Sequence, residues 1–227
     1  MKFIVFGLGN YGSSLATKMV ALGHEVIGVD HKVETAEKWK DAITHTIALD
    51  ASNPEAMENL PLKEVDGVIV AIGETPGISI MIAALLKQFG VDRIICRVIS
   101  PLQRTVLESM QIKEFVYPEA DSAERMAYRL DLKGVRESFK VADDYQILEV
   151  DVPHQFIGSA IGEISFSEEY EIHLISIIRE GEEKNIFGVI RPVKKVMGMV
   201  LPTTILQKGD RLLLFGEDKK LEEFIES

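Results

Sequence analysis

Cysteine occurs once in the 227 residues, at Cys96, which excludes an intramolecular disulfide and a cysteine-built zinc site and makes a reducing cytosol the expected compartment. Basic residues are also short. There are 25 Lys and Arg against 36 Asp and Glu, a formal charge of −11, and no basic run exceeds the two residues of Lys194-Lys195. A nucleic-acid partner would meet net repulsion, so none is expected. Long apolar runs are missing: the stretch from Ile78 to Leu86 is half of the roughly 18 residues a membrane span needs. Phe3 to Gly7 is too short for the apolar segment of a signal peptide and is read as a strand. Internal repeats and low-complexity tracts are absent from the sequence as well.

Apolar residues make up 46% of the chain and charged residues 27%, the balance of a globular protein with a substantial core. The length suits two unequal domains. Up to about residue 131, short β-branched runs alternate with amphipathic stretches, the pattern of βαβ units around a parallel sheet. Six strands are expected, near Lys2–Phe6, Glu25–Val29, His45–Ala48, Gly67–Ile72, Arg93–Val98 and Glu114–Val116. Beyond Asp144, glycine-marked turns separate short strands at Gln146–Val150, Ile172–Arg179, Ile186–Val189 and Arg211–Phe215, closed by a helix over Asp218–Ile225. The division expected is 1–132 for a Rossmann nucleotide-binding domain, 133–142 for a linker or hinge, and 143–227 for a small α+β domain.

Gly7-Leu8-Gly9-Asn10-Tyr11-Gly12 follows the first strand and opens a helix, and Asp30 answers it 18 residues after Gly12, at the end of the second strand. In that context the string reads as a phosphate loop. Gly7 allows the turn, Gly9 lets backbone approach a pyrophosphate, Gly12 lets helix and strand pack closely, and the helix N-terminus favours negative charge. Asp30 would accept hydrogen bonds from an adenosine ribose and repel a 2′-phosphate, although His31 and Lys32 beside it soften that exclusion; its other reading is a helix cap. The ends of the later strands should border the same crevice. Asp50 is placed to reach an adenine amino group, Gly73 to let a ligand pass close to backbone, and Arg97 either to meet phosphate or to pair with a neighbouring helix.

FIVFGLGNYGSSLA, GHEVIGVD, THTIALDAS, DGVIVAIGE and FVYPEADSAERMA together resemble the RCK (regulator of conductance of potassium) proteins of the TrkA/KtrA type. YQILEVDVPHQFIGSAIGEI and LQKGDRLLLFGEDKKLEEF resemble that family's C-terminal domain, so the likeness covers essentially the whole chain. It implies a Rossmann-like doubly wound α/β sheet followed by a small α+β domain of the TrkA-C type. It further implies a cytoplasmic regulatory, gating subunit, held at the inner face of the membrane by an integral membrane potassium-translocating subunit of the Trk or Ktr kind. The chain would form homodimers assembling into a tetramer or an octameric ring, and the apolar face at 123, 126, 127 and 130 fits self-association. The cofactor implied is an adenine nucleotide, NAD(H) or ATP/ADP, lined by Gly7, Gly9, Asn10, Tyr11, Gly12, Asp30, His31, Asp50, Ala51, Ile72, Gly73, Arg97 and Glu119. Members that grip ATP carry an arginine where this chain has Asn10. Some relatives bind cyclic di-AMP between paired C-terminal domains, where Ile177, Arg179 and Asn185 fall.

The competing reading is an NAD-dependent dehydrogenase or reductase, whose coenzyme domain looks the same at this level. Against it, no tyrosine is followed by a lysine four residues on, the five histidines form no defensible acid–base pair, and Cys96 lies in an apolar strand as an inert thiol. No catalytic residue and no metal site is expected. Glu168-Glu169-Tyr170-Glu171 reads either as a cation site or as solvated surface, and Phe187–Thr204 either as a partner loop or as a solvated hairpin.

Overall fold

The computed structural model describes residues 1–184 and 190–227. The expected strand Ile186–Val189 and Asn185 lie outside the described residues. The chain divides into two compact units, Met1–Ala120 and Asp121–Ser227.

In the first unit β1 (Lys2–Phe6), β2 (Glu25–Asp30), β3 (His45–Ala48), β4 (Gly67–Val70), β5 (Ile94–Arg97) and β6 (Glu114–Val116) form one sheet of order β3-β2-β1-β4-β5-β6. Every pairing in it is parallel. The helices between the strands are α1 (Asn10–Ala21), α2 (Val33–Trp39), α3 (Pro54–Met57), α4 (Pro76–Gln88) and α5 (Pro101–Ser109). A parallel sheet is covered on both faces, which is why its strands are almost unbroken apolar runs. The period-two alternation then sorts the side chains. Ile4, Phe6, Val68 and Val70 pack on one face against Ile82 and Leu86 of α4 and Leu107 of α5. Phe3, Val5, Val26 and Ile69 pack on the other, against Ala16 of α1.

Local signals set the helix starts. Pro54, Pro76 and Pro101 each stand in a first turn, where the missing N–H costs nothing. Asn53 Oδ1 accepts from the Glu55 N–H at 3.0 Å, and Ser100 Oγ accepts from the Gln103 N–H at 3.2 Å. Chain order reverses between the adjacent strands β1 and β4, the switch point at whose carboxyl ends a ligand crevice is expected in such sheets.

The second unit is an antiparallel sheet of order β10-β9-β11-β8-β7. Its strands are β7 (Val135–Ala142), β8 (Tyr145–Asp151), β9 (His173–Lys184), β10 (Ile190–Val196) and β11 (Arg211–Glu217), and α7 (Asp218–Glu226) closes the chain. Leu148, Val150, Ile177, Leu212 and Leu214 turn to one face and bury against Leu221 and Phe224 of α7. On the opposite face Arg211, 8% exposed, donates to Glu149 at 2.5 Å and to Glu180 at 3.0 Å. Helix α6 (Pro118–Asp131) runs across the division between the units, and each of its residues is exposed or half-buried.

The α/β class, with a smaller second unit, is as the sequence implies. Two assignments change: 133–142, expected as a hinge, holds strand β7, and the strand expected to end at Arg179 runs on to Lys184. VRESFKVA lacks alternation because β7 is an edge strand with two register irregularities, so that only Val135 and Ser138 are buried.

Phe224 sits at the centre of an aromatic cluster, 5.2 Å from the Phe156 ring, 5.4 Å from Phe166 and 5.0 Å from Tyr170. Phe224→Ala should cost about 3–5 kcal/mol, the usual range for emptying a phenylalanine site in a core. The check is the urea midpoint of the second unit's transition, and an unchanged midpoint would remove this ring from the core.

Candidate functional site

The turn from β1 into α1 is built from the two glycines that bracket it. Gly7 adopts φ +90°, a conformation other residues rarely hold, and its N–H donates to Val29 O at 2.7 Å. A Cβ on Gly12 would lie 1.9 Å from the Gly7 carbonyl oxygen, so no larger residue fits there. Gly9 is the N-cap of α1; among the described residues no side chain caps that helix, and its first turn holds no acidic residue. An exposed helix start of this kind favours an anion. Asn10 is exposed on the first turn and Tyr11 is half-buried beside it.

The carboxylate of Asp30 ties this loop to the end of β2. Its Oδ2 accepts from the Leu8 N–H at 2.9 Å and its Oδ1 from the Lys32 N–H at 2.9 Å, while the exposed His31 places Nδ1 3.4 Å from Oδ1. Lys32, not Asp30, is the N-cap residue of α2. Two acceptor oxygens with about four lone-pair sites leave Asp30 able to take further donors. Beyond β3, Asp50 Oδ1 accepts from the Ser52 hydroxyl at 2.6 Å and the Ser52 N–H at 3.0 Å, and these bonds hold its carboxyl below the usual aspartate range. Ala51 turns inward and is buried in the core, so only its backbone is placed at the edge.

Past β4, Ile72 is half-buried against the core and borders Gly7: a Cβ on Gly7 would meet Ile72 Cγ1 at 2.8 Å. Gly73 makes room for Arg97, since a Cβ there would lie 2.5 Å from Arg97 Cζ. The guanidinium is held from several sides. Arg97 Nη1 donates to Ala71 O at 3.3 Å, Nη2 donates to Glu119 Oε1, and Cζ lies 5.8 Å from the Tyr11 ring centroid. Its Nε is buried with no hydrogen-bond partner among the described residues. Of the two sequence readings of Arg97, the pairing with a neighbouring helix is the one seen here: its partner is Glu119, in the first turn of α6.

The polypeptide thus brings the thirteen expected residues to the carboxyl-end edge of one sheet. Two groups that sequence reasoning passes over stand behind them, Gln103 of α5 and Ser79 of α4, which are 2% and 0% exposed. The available signal was a glutamine four residues before Leu107, on the buried face of an amphipathic helix. Cys96, buried in β5, has its thiol pushed up to about 12 by burial, an inert group as its apolar strand implies. In the second unit Ile177 is fully buried, and Arg179 donates to both oxygens of Asp210, at 2.7 and 2.6 Å, and to Ile205 O at 3.0 Å.

Residues 3–118, just over half of the sequence, match the model of the TrkA-N domain. The chain belongs to the TrkA-N domain family. It is 25% identical over 223 residues to Ktr system potassium uptake protein C of Bacillus subtilis (strain 168), an alignment covering 98% of this chain and 95% of that protein. Among solved structures the GsuK RCK domain superposes with a TM-score of 0.66 at 15% identity, over all of this chain and 48% of that one. The GsuK channel bound to NAD gives 0.64 at 15% identity, over 98% of this chain and 38% of that one. The chain therefore spans about half the length, or less, of these structural neighbours, and they establish the shared RCK fold.

The Cys96 thiol gives this TrkA-N unit a pH dependence of known sign. An unfolded thiol ionises near 9.0 and the folded one holds its proton to about 12, so unfolding between those values releases a proton. The contribution is intact below pH 9 and is lost as pH rises, by up to about 1.4 kcal/mol per pH unit. Urea unfolding of wild type and Cys96→Ala between pH 8 and 11 checks this. The extra alkaline loss should be absent from the variant, and parallel curves would contradict it.

Proposed function

We propose that the chain is the nucleotide-sensing regulatory subunit of a potassium uptake system, with an adenine nucleotide, NAD(H) or ATP/ADP, as its ligand. What supports this reading is that the Gly7–Gly12 turn, Asp30 and Arg97 lie at the carboxyl-end edge of the sheet where the strand order reverses. The assignment to potassium uptake rests on the kinship with the Ktr protein.

Each residue then has a task set by its chemistry. Backbone N–H groups and the start of α1 favour phosphate. Asp30 uses its remaining lone pairs for ribose hydroxyls and repels a 2′-phosphate, which disfavours NADP. Asn10 donates a hydrogen bond, Asp50 faces an adenine amino group, and the guanidinium of Arg97 meets phosphate charge. An anion on Arg97 competes with Glu119 for the guanidinium, and Glu119 opens α6. Crevice occupancy thereby gains a physical link to the helix that runs on into the second unit. The ligand shifts the conformational balance only by its differing affinity for the two states.

The same reading places an integral membrane potassium-translocating subunit of the Trk or Ktr type opposite this protein, at the inner face of the membrane. Homodimers assembling to a tetramer or octameric ring account for Met126 and Leu130 of α6, 48% and 80% exposed, which a second copy would cover. On the second unit, cyclic di-AMP would have to draw Arg179 from its bonds to Asp210. No catalytic role is assigned, and kinship with a potassium uptake protein gives the dehydrogenase alternative no support.

Calorimetric titration with ATP, ADP, NAD+ and NADH tests the reading. Saturable binding of at least one is expected, and Asp30→Ala should weaken it about 10- to 100-fold, the equivalent of a charged hydrogen bond worth roughly 1.5–3 kcal/mol. Absence of binding by the wild-type chain would overturn the proposal, and sustained NADH oxidation with a small substrate would restore the dehydrogenase.

A further inference from the structure

The geometry points to Gln103 as a positioning residue for Arg97, an inference that rests on the nucleotide reading above. A buried amide is costly unless its polar atoms pair. Gln103 pairs at both ends, and its partners come from two elements, α4 and β5, and from the connection that follows β5. Nε2 donates to the Arg97 carbonyl at 3.2 Å and to Ser79 Oγ of α4 at 3.3 Å, while Oε1 accepts from the Ile99 N–H at 2.9 Å. Helix capping does not require this arrangement, because Ser100 already caps α5.

The consequence falls on the guanidinium. Arg97 is the last residue of β5, and its carbonyl and the next-but-one N–H are both gripped by the same side chain. That grip fixes the direction in which the chain leaves the strand. The Arg97 side chain consequently reaches back over Gly73 to Ala71 O and the Tyr11 ring, instead of turning toward solvent. Ser79 ties the first turns of α4 to the same point, so the wall of the crevice around Arg97 is set by one buried amide. A group oriented in this way by a partner behind it binds its ligand with less reorganisation.

Gln103→Met keeps the length of the side chain and removes all three bonds. The phosphate-bearing ligand that binds wild type best in the preceding titration, and adenosine, which has no phosphate, are titrated against wild type, Gln103→Met, Arg97→Ala and the double variant. Gln103→Met should weaken the phosphorylated ligand about tenfold, a coupling of ~1.4 kcal/mol, leave adenosine unchanged and add nothing to Arg97→Ala. Equal weakening of both ligands, or full additivity with Arg97→Ala, would make Gln103 merely structural and overturn the inference. If Gln103→Met does not fold, Gln103→Glu keeps the acceptor for Ile99 and loses both donated bonds, and the same comparison decides. Wild-type protein that binds none of these ligands overturns the nucleotide reading itself, an outcome distinct from normal binding that ignores Gln103.

Discussion

Helix α1 leaves strand β1 after only Gly7, Leu8 and Gly9, and it does so because Gly12 passes against the Gly7 carbonyl with no side chain between them. A methyl group there would overlap that oxygen, and the helix would have to move away from the sheet. Everything at the crevice is referred to this contact. It sets where the start of α1 points, where Leu8 presents its N–H to Asp30, and where Tyr11 stands under the Arg97 guanidinium. Asp30 therefore serves the fold whatever it binds, because it holds the loop to β2.

Charge at the crevice is arranged as competition. Asp30 and Asp50 each spend part of their acceptor capacity on neighbouring N–H and hydroxyl groups, and Arg97 spends part of its donors on Ala71 and Glu119. At Arg97 the charged partner is Glu119, so an anion bound there would exchange one charged partner for another. The Arg97–Glu119 pair is the part of this exchange that touches α6. The proposed regulatory role needs such a partner to be displaced.

Much of this was legible in the letters of the chain. The inner strands announced themselves because burial on both faces demands apolar runs, as in FIVF and GVIV, and the loop was readable because its glycines, the helix after it and Asp30 occur in the required order. β7 was hidden: an edge strand needs few apolar residues, and Glu137 and Lys140 in VRESFKVA look like linker. Gln103 was hidden for another reason. Its spacing to Leu107 places it on the buried face of α5, but its partners are brought together only by the packing of α5 against α4 and the end of β5, which no local pattern names. Ala51 lay beside the site in sequence, yet its side chain serves the core.

Hydrogen exchange of the full chain, with and without saturating nucleotide, tests the central claim most directly, since it reads each backbone amide at the crevice without any substitution. The account predicts that ATP, ADP, NAD+ or NADH slows exchange at residues 8–12, at 30–32 and around 97–99, with the first turn of α6 changing in step. Protection confined to the second unit, or no change with any of the four nucleotides, would contradict it.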